Sequence, residues 1–191
     1  MLLDYSEKKL ILKFLYWGAG ESGKTTNLSF INQSLSPENN GNFIKLENEN
    51  KSTLFFDFLS LNLGIFKGLN VFYNLYTVPG QQKHKNIASL QLKGADGIVF
   101  VADSRAEKRE ENIESYKNLI RGLDNAGIDH KKIPIVFQYN KRDHKKSECI
   151  SRINKDININ NKPIIEASAI NGNGVFATLK TLSNLYFTTL N

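Results

Sequence analysis

The sequence is poor in cysteine and in long apolar runs. Cys149 is the single cysteine among 191 residues, so no disulfide framework can form within the chain, and a reducing compartment is its natural environment. No stretch approaches the roughly 18 consecutive apolar residues that a membrane-spanning helix needs. The first nine residues mix acidic and basic side chains and contain no apolar signal-peptide core. We therefore expect a cytoplasmic protein.

Signals for lipid attachment and for nucleic-acid binding are missing as well. Residue 2 is leucine instead of the glycine that myristoylation requires, and the last residues form no prenylation motif. The net charge is +6, and a positive net charge is common among nucleic-acid-binding proteins. The lysines, however, are scattered or stand in short runs, with no interleaved aromatic residues on which bases could stack. We predict neither a direct membrane anchor nor nucleic acid as a partner.

What the chain does contain is an alternation of short β-branched or aromatic runs with longer amphipathic stretches, which predicts βαβ units. Residues 53–63 and 69–76 are separated by a turn and predict an antiparallel hairpin at one edge. Residues 105–123 have apolar side chains at helical spacing, and Ser104 with Glu107 fits a capping box. We expect one α/β domain over residues 1–191, with a doubly wound, mostly parallel sheet, one antiparallel edge strand and flanking helices.

The strongest motif is Gly-Ala-Gly-Glu-Ser-Gly-Lys-Thr at residues 18–25, between a predicted strand and a predicted helix. It fits the P-loop pattern, in which backbone N–H groups and a helix N-terminus hold phosphates. Lys24 would neutralise phosphate oxygens, and the hydroxyl of Thr25 would bind Mg²⁺. The motif therefore predicts a P-loop NTPase. The expected nucleotide-binding residues of this loop are Gly18, Gly20, Glu21, Ser22, Gly23, Lys24, Thr25 and Thr26.

The same glycines also fit the dinucleotide-binding pattern G-x-G-x-x-G. That pattern does not need Lys24 or Thr25, and it requires an acidic residue at the end of the second strand. This chain offers only Glu47 and Glu49 there, in a loop-like segment. The P-loop interpretation is favoured, and a dinucleotide-binding oxidoreductase is kept as an alternative.

A second motif, Asn-Lys-Arg-Asp at residues 140–143, follows a predicted strand. The carboxylate of Asp143 can accept hydrogen bonds from N1 and the 2-amino group of guanine, and adenine lacks that amino group. Downstream, Ala-Ser-Ala at residues 167–169 follows the next strand, where small side chains allow backbone N–H groups to approach the base oxygen. We predict guanine. The expected base-binding residues are Asn140, Lys141, Asp143, Ser168 and Ala169.

Together these residues resemble the Ras-like small GTPases, and more closely the MglA family of bacterial gliding-motility and polarity GTPases. The resemblance rests on G-K-T-T-N-L, T-L-F-F-D-F, L-Y-T-V-P-G-Q and Q-Y-N-K-R-D, and it covers most of the chain. Heterotrimeric G-protein α subunits share the phosphate loop, but residues 33–53 leave no room for their helical insertion.

The resemblance implies a switch that binds and hydrolyses GTP and controls bacterial cell polarity or motility through nucleotide-dependent partner binding. GTP or GDP and Mg²⁺ are the implied cofactors. The implied partners are a roadblock-fold GTPase-activating protein of the MglB type and polarity or motility effectors, which would also place the protein at a cell pole.

The resemblance also implies roles for residues beyond the two motifs. Gly80 would sense the γ-phosphate, Gln81 would orient the attacking water, and Thr53 would close over Mg²⁺ as a second metal ligand after Thr25. The implied catalytic residues are Gln81, Lys24 and Gly80.

Two positions depart from the usual GTPase pattern. Thr77 stands where most GTPases have the aspartate that holds a Mg²⁺-bound water, and threonine there is a property that the MglA resemblance implies. We hypothesise that Asp57 supplies the carboxylate, the alternative being a solvent-facing aspartate on an edge strand. Ser52 stands where that family carries an arginine finger, so we expect slow hydrolysis unless Lys51 or a partner supplies the charge. A GTP-binding module with little hydrolysis is the alternative function.

Overall fold

The computed structural model describes residues 1–35, 40–44, 56–79, 91–158 and 160–189. Within them, an eight-stranded sheet carries helices on both faces. The strands are β1 (Leu2–Asp4), β2 (Lys9–Trp17), β3 (Asn40–Ile44), β4 (Phe58–Phe66), β5 (Leu69–Thr77), β6 (Gly97–Asp103), β7 (Ile135–Asn140) and β8 (Ile164–Glu166). The α-helices of the described part are α1 (Lys24–Ser34), α2 (Arg109–Asn125), α3 (Ile150–Ile157) and α4 (Val175–Thr188).

The strand order is β3-β4-β5-β2-β6-β7-β8, with β1 paired to the start of β2. Neighbours from β5 to β8 along this order are parallel, whereas β4 is antiparallel to both β3 and β5. The predicted doubly wound, mostly parallel sheet and its hairpin are confirmed. Strands β1 and β3 were not predicted, because three residues in one and the polar run N-G-N in the other carry no strand alternation.

The two faces of the sheet pack against different helices, because successive residues of a strand point to opposite sides. Leu12 and Phe14 of β2 belong to the apolar cluster with α1 and α4, and Leu15 and Trp17 belong to the cluster with α2 and α3. Strands β6 and β7 are buried along their whole length, as expected for parallel strands that are covered on both faces. The carboxyl ends of β2, β6, β7 and β8 therefore share one edge, where ligands bind in folds of this kind.

The predicted capping box is wrong. A 3₁₀ turn occupies Ala106–Lys108, and α2 begins at Arg109 without a side-chain cap. The backbone of Ser104 instead extends the neighbouring pairing, since its N–H donates to Asn140 O at 2.9 Å and its carbonyl accepts from Glu148 N at 2.7 Å. Ser104 thus extends the backbone pairing just beyond the end of β6 and does not begin the helix.

The described helices are short or amphipathic. The longest of them, α2, has 17 residues and carries acidic side chains in its first turn. In the described ranges no helix combines the length and the apolar character that crossing a membrane would require.

Candidate nucleotide site

The loop that joins β2 to α1 lies directly against two neighbouring strands. A Cβ on Gly18 would lie 2.2 Å from the carbonyl oxygen of Val101 on β6. A Cβ on Gly23 would lie 2.2 Å from Nδ2 of Asn140 at the end of β7, and Gly23 has φ of +101°. A larger residue would clash with the β6 backbone at Gly18, and at Gly23 it would be strained and would displace the Asn140 amide, so the close approach of this loop to β6 and β7 depends on glycine.

Lys24 is the first residue of α1, and its side chain is almost completely buried under this loop. Its Nζ donates to the carbonyl oxygens of Gly18 at 3.0 Å and Ala19 at 2.6 Å. Burial lowers the pKa of Lys24 to about 8, against the opposing effect of the nearby Asp57 carboxylate. A desolvated ammonium is stabilised by an anion beside it, so this position favours a bound phosphate.

Asp57 directly precedes β4, and its side chain contacts the start of α1. Its Oδ2 accepts hydrogen bonds from Thr25 Oγ1 at 2.5 Å and from Thr77 Oγ1 at 2.8 Å. The backbone N–H of Asp57 donates to Thr77 Oγ1 at 2.8 Å, which fixes the two residues together. Asp57 is 0% exposed, so the alternative of a solvent-facing aspartate is wrong. Asp57, which directly precedes β4, thus supplies the carboxylate that position 77 lacks, and it lies next to the hydroxyl of Thr25.

Asn140 joins the phosphate loop to the loop after β8. Its Nδ2 donates to Ser22 O at 2.8 Å, and its Oδ1 accepts from Ala169 N at 2.8 Å. Both partners are buried, and Asn140 itself is 2% exposed. One side chain therefore ties together the two segments that the sequence predicts to hold phosphate and base.

Lys141 is held by a residue that the sequence analysis missed. Asp103, at the end of β6, pairs with Lys141 Nζ at 2.9 Å and with Arg105 Nη2 at 2.7 Å. Burial alone would raise the pKa of Asp103, but hydrogen bonds from Arg105 and Lys141 bring it below its ordinary value. An acidic residue at the carboxyl end of a buried strand was the available signal.

The segment Ala167–Ala169 is buried, as its small side chains suggest, but its N–H groups are occupied. They donate to Tyr139 O at 2.9 Å, to Asn173 O at 3.0 Å and to Asn140 Oδ1 at 2.8 Å, in chain order. Their approach to a base oxygen stays a prediction. Asp143 lies exposed on the adjoining loop, where its carboxylate can reach a ligand.

Comparison with known proteins agrees with this geometry. The model of the ADP-ribosylation factor family matches residues 2–186. The chain belongs to the ADP-ribosylation factor family. The predictions of a Ras-like small GTPase and of its fold are confirmed, and membership implies guanine nucleotide binding in general.

Relatives of this family member include proteins from bacteria and eukaryotes. The mutual gliding-motility protein MglA of Myxococcus xanthus (strain DK1622) is 45% identical over 98% of this chain and 96% of that protein. ADP-ribosylation factor-like protein 6 of Danio rerio is 26% identical over 88% of this chain and 84% of that protein. Ras-related protein Rab-7a of Dictyostelium discoideum is 28% identical over 77% of this chain and 66% of that protein. The predicted similarity to MglA is confirmed.

The described residues of this ADP-ribosylation factor family member fit a nucleotide with Mg²⁺. Asp57 Oδ1 is buried, and no group in the described ranges hydrogen-bonds to it. A buried carboxylate oxygen without a partner is costly, and a Mg²⁺-bound water is a donor that would satisfy it. The hydroxyl of Thr25 donates a hydrogen bond to Oδ2, the other oxygen of the same carboxylate. The oxygen-rich donor set suits a hard cation.

Several predicted site residues lie outside the described residues. They are the predicted γ-phosphate sensor, the water-orienting residue, the second metal ligand and the two residues at the arginine-finger position: Gly80, Gln81, Thr53, Lys51 and Ser52.

Proposed function

We propose that the chain is a single G domain, over residues 1–191, that binds GTP and hydrolyses it to GDP as a molecular switch. The observation that carries this proposal is the Asn140 bridge between the phosphate loop and the base loop. A nucleotide has phosphates at one end and a base at the other, so a side chain that links both loops supports a ligand of this kind. Asp143 then selects guanine through N1 and the 2-amino group.

Each proposed residue has a task in holding or activating the nucleotide. Lys24 neutralises the β- and γ-phosphate oxygens, and Thr25 and Thr53 would hold Mg²⁺, which would supply further positive charge beside the phosphates. Asp57 would take the place of the missing aspartate at Thr77 and would help to hold Mg²⁺ through its buried carboxylate. For the same reaction, Gly80 senses the γ-phosphate and Gln81 orients the attacking water.

The proposed cellular role is supported by the similarity to MglA, whose name assigns that protein to gliding motility. We propose that the chain controls motility or polarity by binding effectors in one nucleotide state only. A roadblock-fold activating protein is the proposed regulator, and the protein would reach a cell pole through such partners.

The proposed function is tested by identifying the nucleotide that copurifies with the protein. The protein is denatured, and the released nucleotide is separated by chromatography. We expect GDP from the wild type and much less guanine nucleotide from Asp143→Ala, because the variant cannot accept the two guanine hydrogen bonds. GTP in place of GDP would favour the binding module with little hydrolysis. Adenine nucleotide or a nicotinamide dinucleotide would contradict the proposal.

Hydrolysis by the chain alone is proposed to be slow, because Ser52 supplies no positive charge to the transition state. An arginine finger contributes about 10³- to 10⁵-fold in rate. Ser52→Arg is therefore expected to raise the single-turnover rate of GTP hydrolysis at least about tenfold, which is a small fraction of the full contribution of an arginine finger. Ser52→Gln is the control, since it adds similar bulk without charge. A Ser52→Arg protein that hydrolyses GTP no faster than the wild type would contradict this explanation.

A further inference from the structure

Two buried amide side chains lie behind the nucleotide site, and none of the roles proposed above involves them. Asn27 is in the first turn of α1, Gln138 is on β7, and both are 0% exposed. Gln138 Nε2 donates to Asn27 Oδ1 at 2.9 Å, and Asn27 Nδ2 donates to Gln138 Oε1 at 2.8 Å. The two amides form a closed pair with two hydrogen bonds.

The remaining hydrogens of the pair also have acceptors. Asn27 Nδ2 donates to Gly23 O at 2.9 Å, and Gln138 Nε2 donates to Thr178 Oγ1 at 2.9 Å. The Thr178 hydroxyl in turn donates to Gly174 O at 2.7 Å, at the start of α4. A fully satisfied buried network of this kind specifies one arrangement of the elements that it joins. Here those elements are α1, β7 and α4.

The Asn27–Gln138 pair lies directly behind the phosphate loop. Gln138 and Asn140 are two residues apart on β7 and so face the same side of the sheet. Asn140 holds the phosphate loop at the carbonyl of Ser22, and Gln138, through Asn27, holds it at the next carbonyl, that of Gly23. The β7 amide of Asn140 and the α1 amide of Asn27, which Gln138 holds, therefore donate to consecutive carbonyls of the phosphate loop.

We propose that the Asn27–Gln138 pair is a positioning device that sets the phosphate loop in register with the guanine-binding strand and thereby slows nucleotide release. This inference rests on the proposed nucleotide-binding function. The nucleotide spans both segments, so its retention depends on how closely α1 and β7 hold their relative position. Two apolar side chains would fill the same volume, but their contact is non-directional and would allow α1 to shift along β7.

The test separates positioning from stability by comparing single and double variants. Asn27→Leu and Gln138→Met each leave one buried amide without its partner, and each is expected to lower the melting temperature by roughly 3–10 °C. The double variant N27L/Q138M removes both amides and is expected to recover most of that loss. Nucleotide release is measured with a fluorescent GDP analogue, mant-GDP, which is displaced by excess GDP. The double variant is still expected to release mant-GDP about tenfold faster than the wild type, because a tenfold change in rate corresponds to the free energy of about one hydrogen bond.

A control on the same strand is Tyr139→Phe, which removes the hydrogen bond from Tyr139 Oη to Asn154 Oδ1 at 3.0 Å on the opposite face of β7. It is expected to lower stability without faster release. If N27L/Q138M does not fold, Thr178→Val removes the two outer hydrogen bonds, which join Gln138 Nε2 to Thr178 Oγ1 and Thr178 Oγ1 to Gly174 O, and leaves the Asn27–Gln138 pair in place. The release rate is then expected to rise about threefold, half of the effect of the double variant on a logarithmic scale.

Three results would overturn the proposal. The first is a folded double variant that releases mant-GDP within twofold of the wild type. The second is an unchanged release rate in Thr178→Val when the double variant cannot be folded. The third is a wild-type protein that takes up no mant-GDP, which would contradict the proposed function itself and this inference with it.

Discussion

Asp57→Asn is expected to bind GDP and GTP about 10- to 100-fold more weakly than the wild type in the presence of Mg²⁺. The range corresponds to the loss of about 1.5–3 kcal/mol, the typical contribution of a hydrogen bond to a charged group. The substitution keeps the shape of the side chain between Thr25 and Thr77 but removes its charge. Affinity is measured with mant-GDP in Mg²⁺ and again in EDTA.

The EDTA measurement shows whether the effect acts through the metal. Without Mg²⁺, the Asp57 carboxylate only repels the phosphates, so the asparagine variant is expected to bind at least as well as the wild type. Thr77→Val is the matched control, because it removes a hydroxyl from the same cluster but no charge, and its expected loss is several-fold smaller. Equal affinities of all three proteins in Mg²⁺ would rule out a role of Asp57 at the metal.

Gly23→Ala is expected to weaken nucleotide binding about 100-fold or more. An alanine at φ of +101° is strained by about 1–3 kcal/mol. Its Cβ would also displace Nδ2 of Asn140, so the hydrogen bonds from Asn140 to Ser22 and from Ala169 to Asn140 would be lost. Each contributes about 1 kcal/mol, so with about 2 kcal/mol of strain the central values sum to about 4 kcal/mol, which corresponds to more than two decades in affinity.

Gly20→Ala is the matched control in the same loop. A Cβ on Gly20 meets no described atom within 4 Å, and its φ lies outside the left-handed region. GDP affinity of this variant is therefore expected to stay within a few-fold of the wild type. A Gly23→Ala protein that binds as tightly as Gly20→Ala would show that the phosphate loop does not depend on its contact with Asn140.

The phosphate loop and the Asn-Lys-Arg-Asp motif could be recognised from sequence because each is a short local structure with its own spacing. The loop needs glycine where its backbone touches β6 and β7, and Lys24 must follow at the helix start. Such requirements are written into neighbouring residues. The alternating apolar pattern likewise predicts the sheet and its hairpin, because burial on a strand has a fixed period.

The location of Asp57 could not be decided in the same way. A shift of one residue in strand pairing turns every side chain to the other face, so the sequence left open whether Asp57 faced solvent or the site. The structure pairs Phe58 with Tyr76, which places the preceding Asp57 against Thr77. The failed capping box has a similar origin, since Ser104 pairs with a strand that is distant in sequence.

The sequence by itself determined the class of fold, the phosphate loop and the base-selecting motif, because their chemistry depends on residues that are adjacent in the chain. Only the tertiary structure decided which distant side chains support them. Asn27 and Gln138 are 111 residues apart, and Asp103 meets Lys141 across two strands. Their meeting depends on how helices and strands pack, and packing brings together residues whose spacing in the sequence carries no signal.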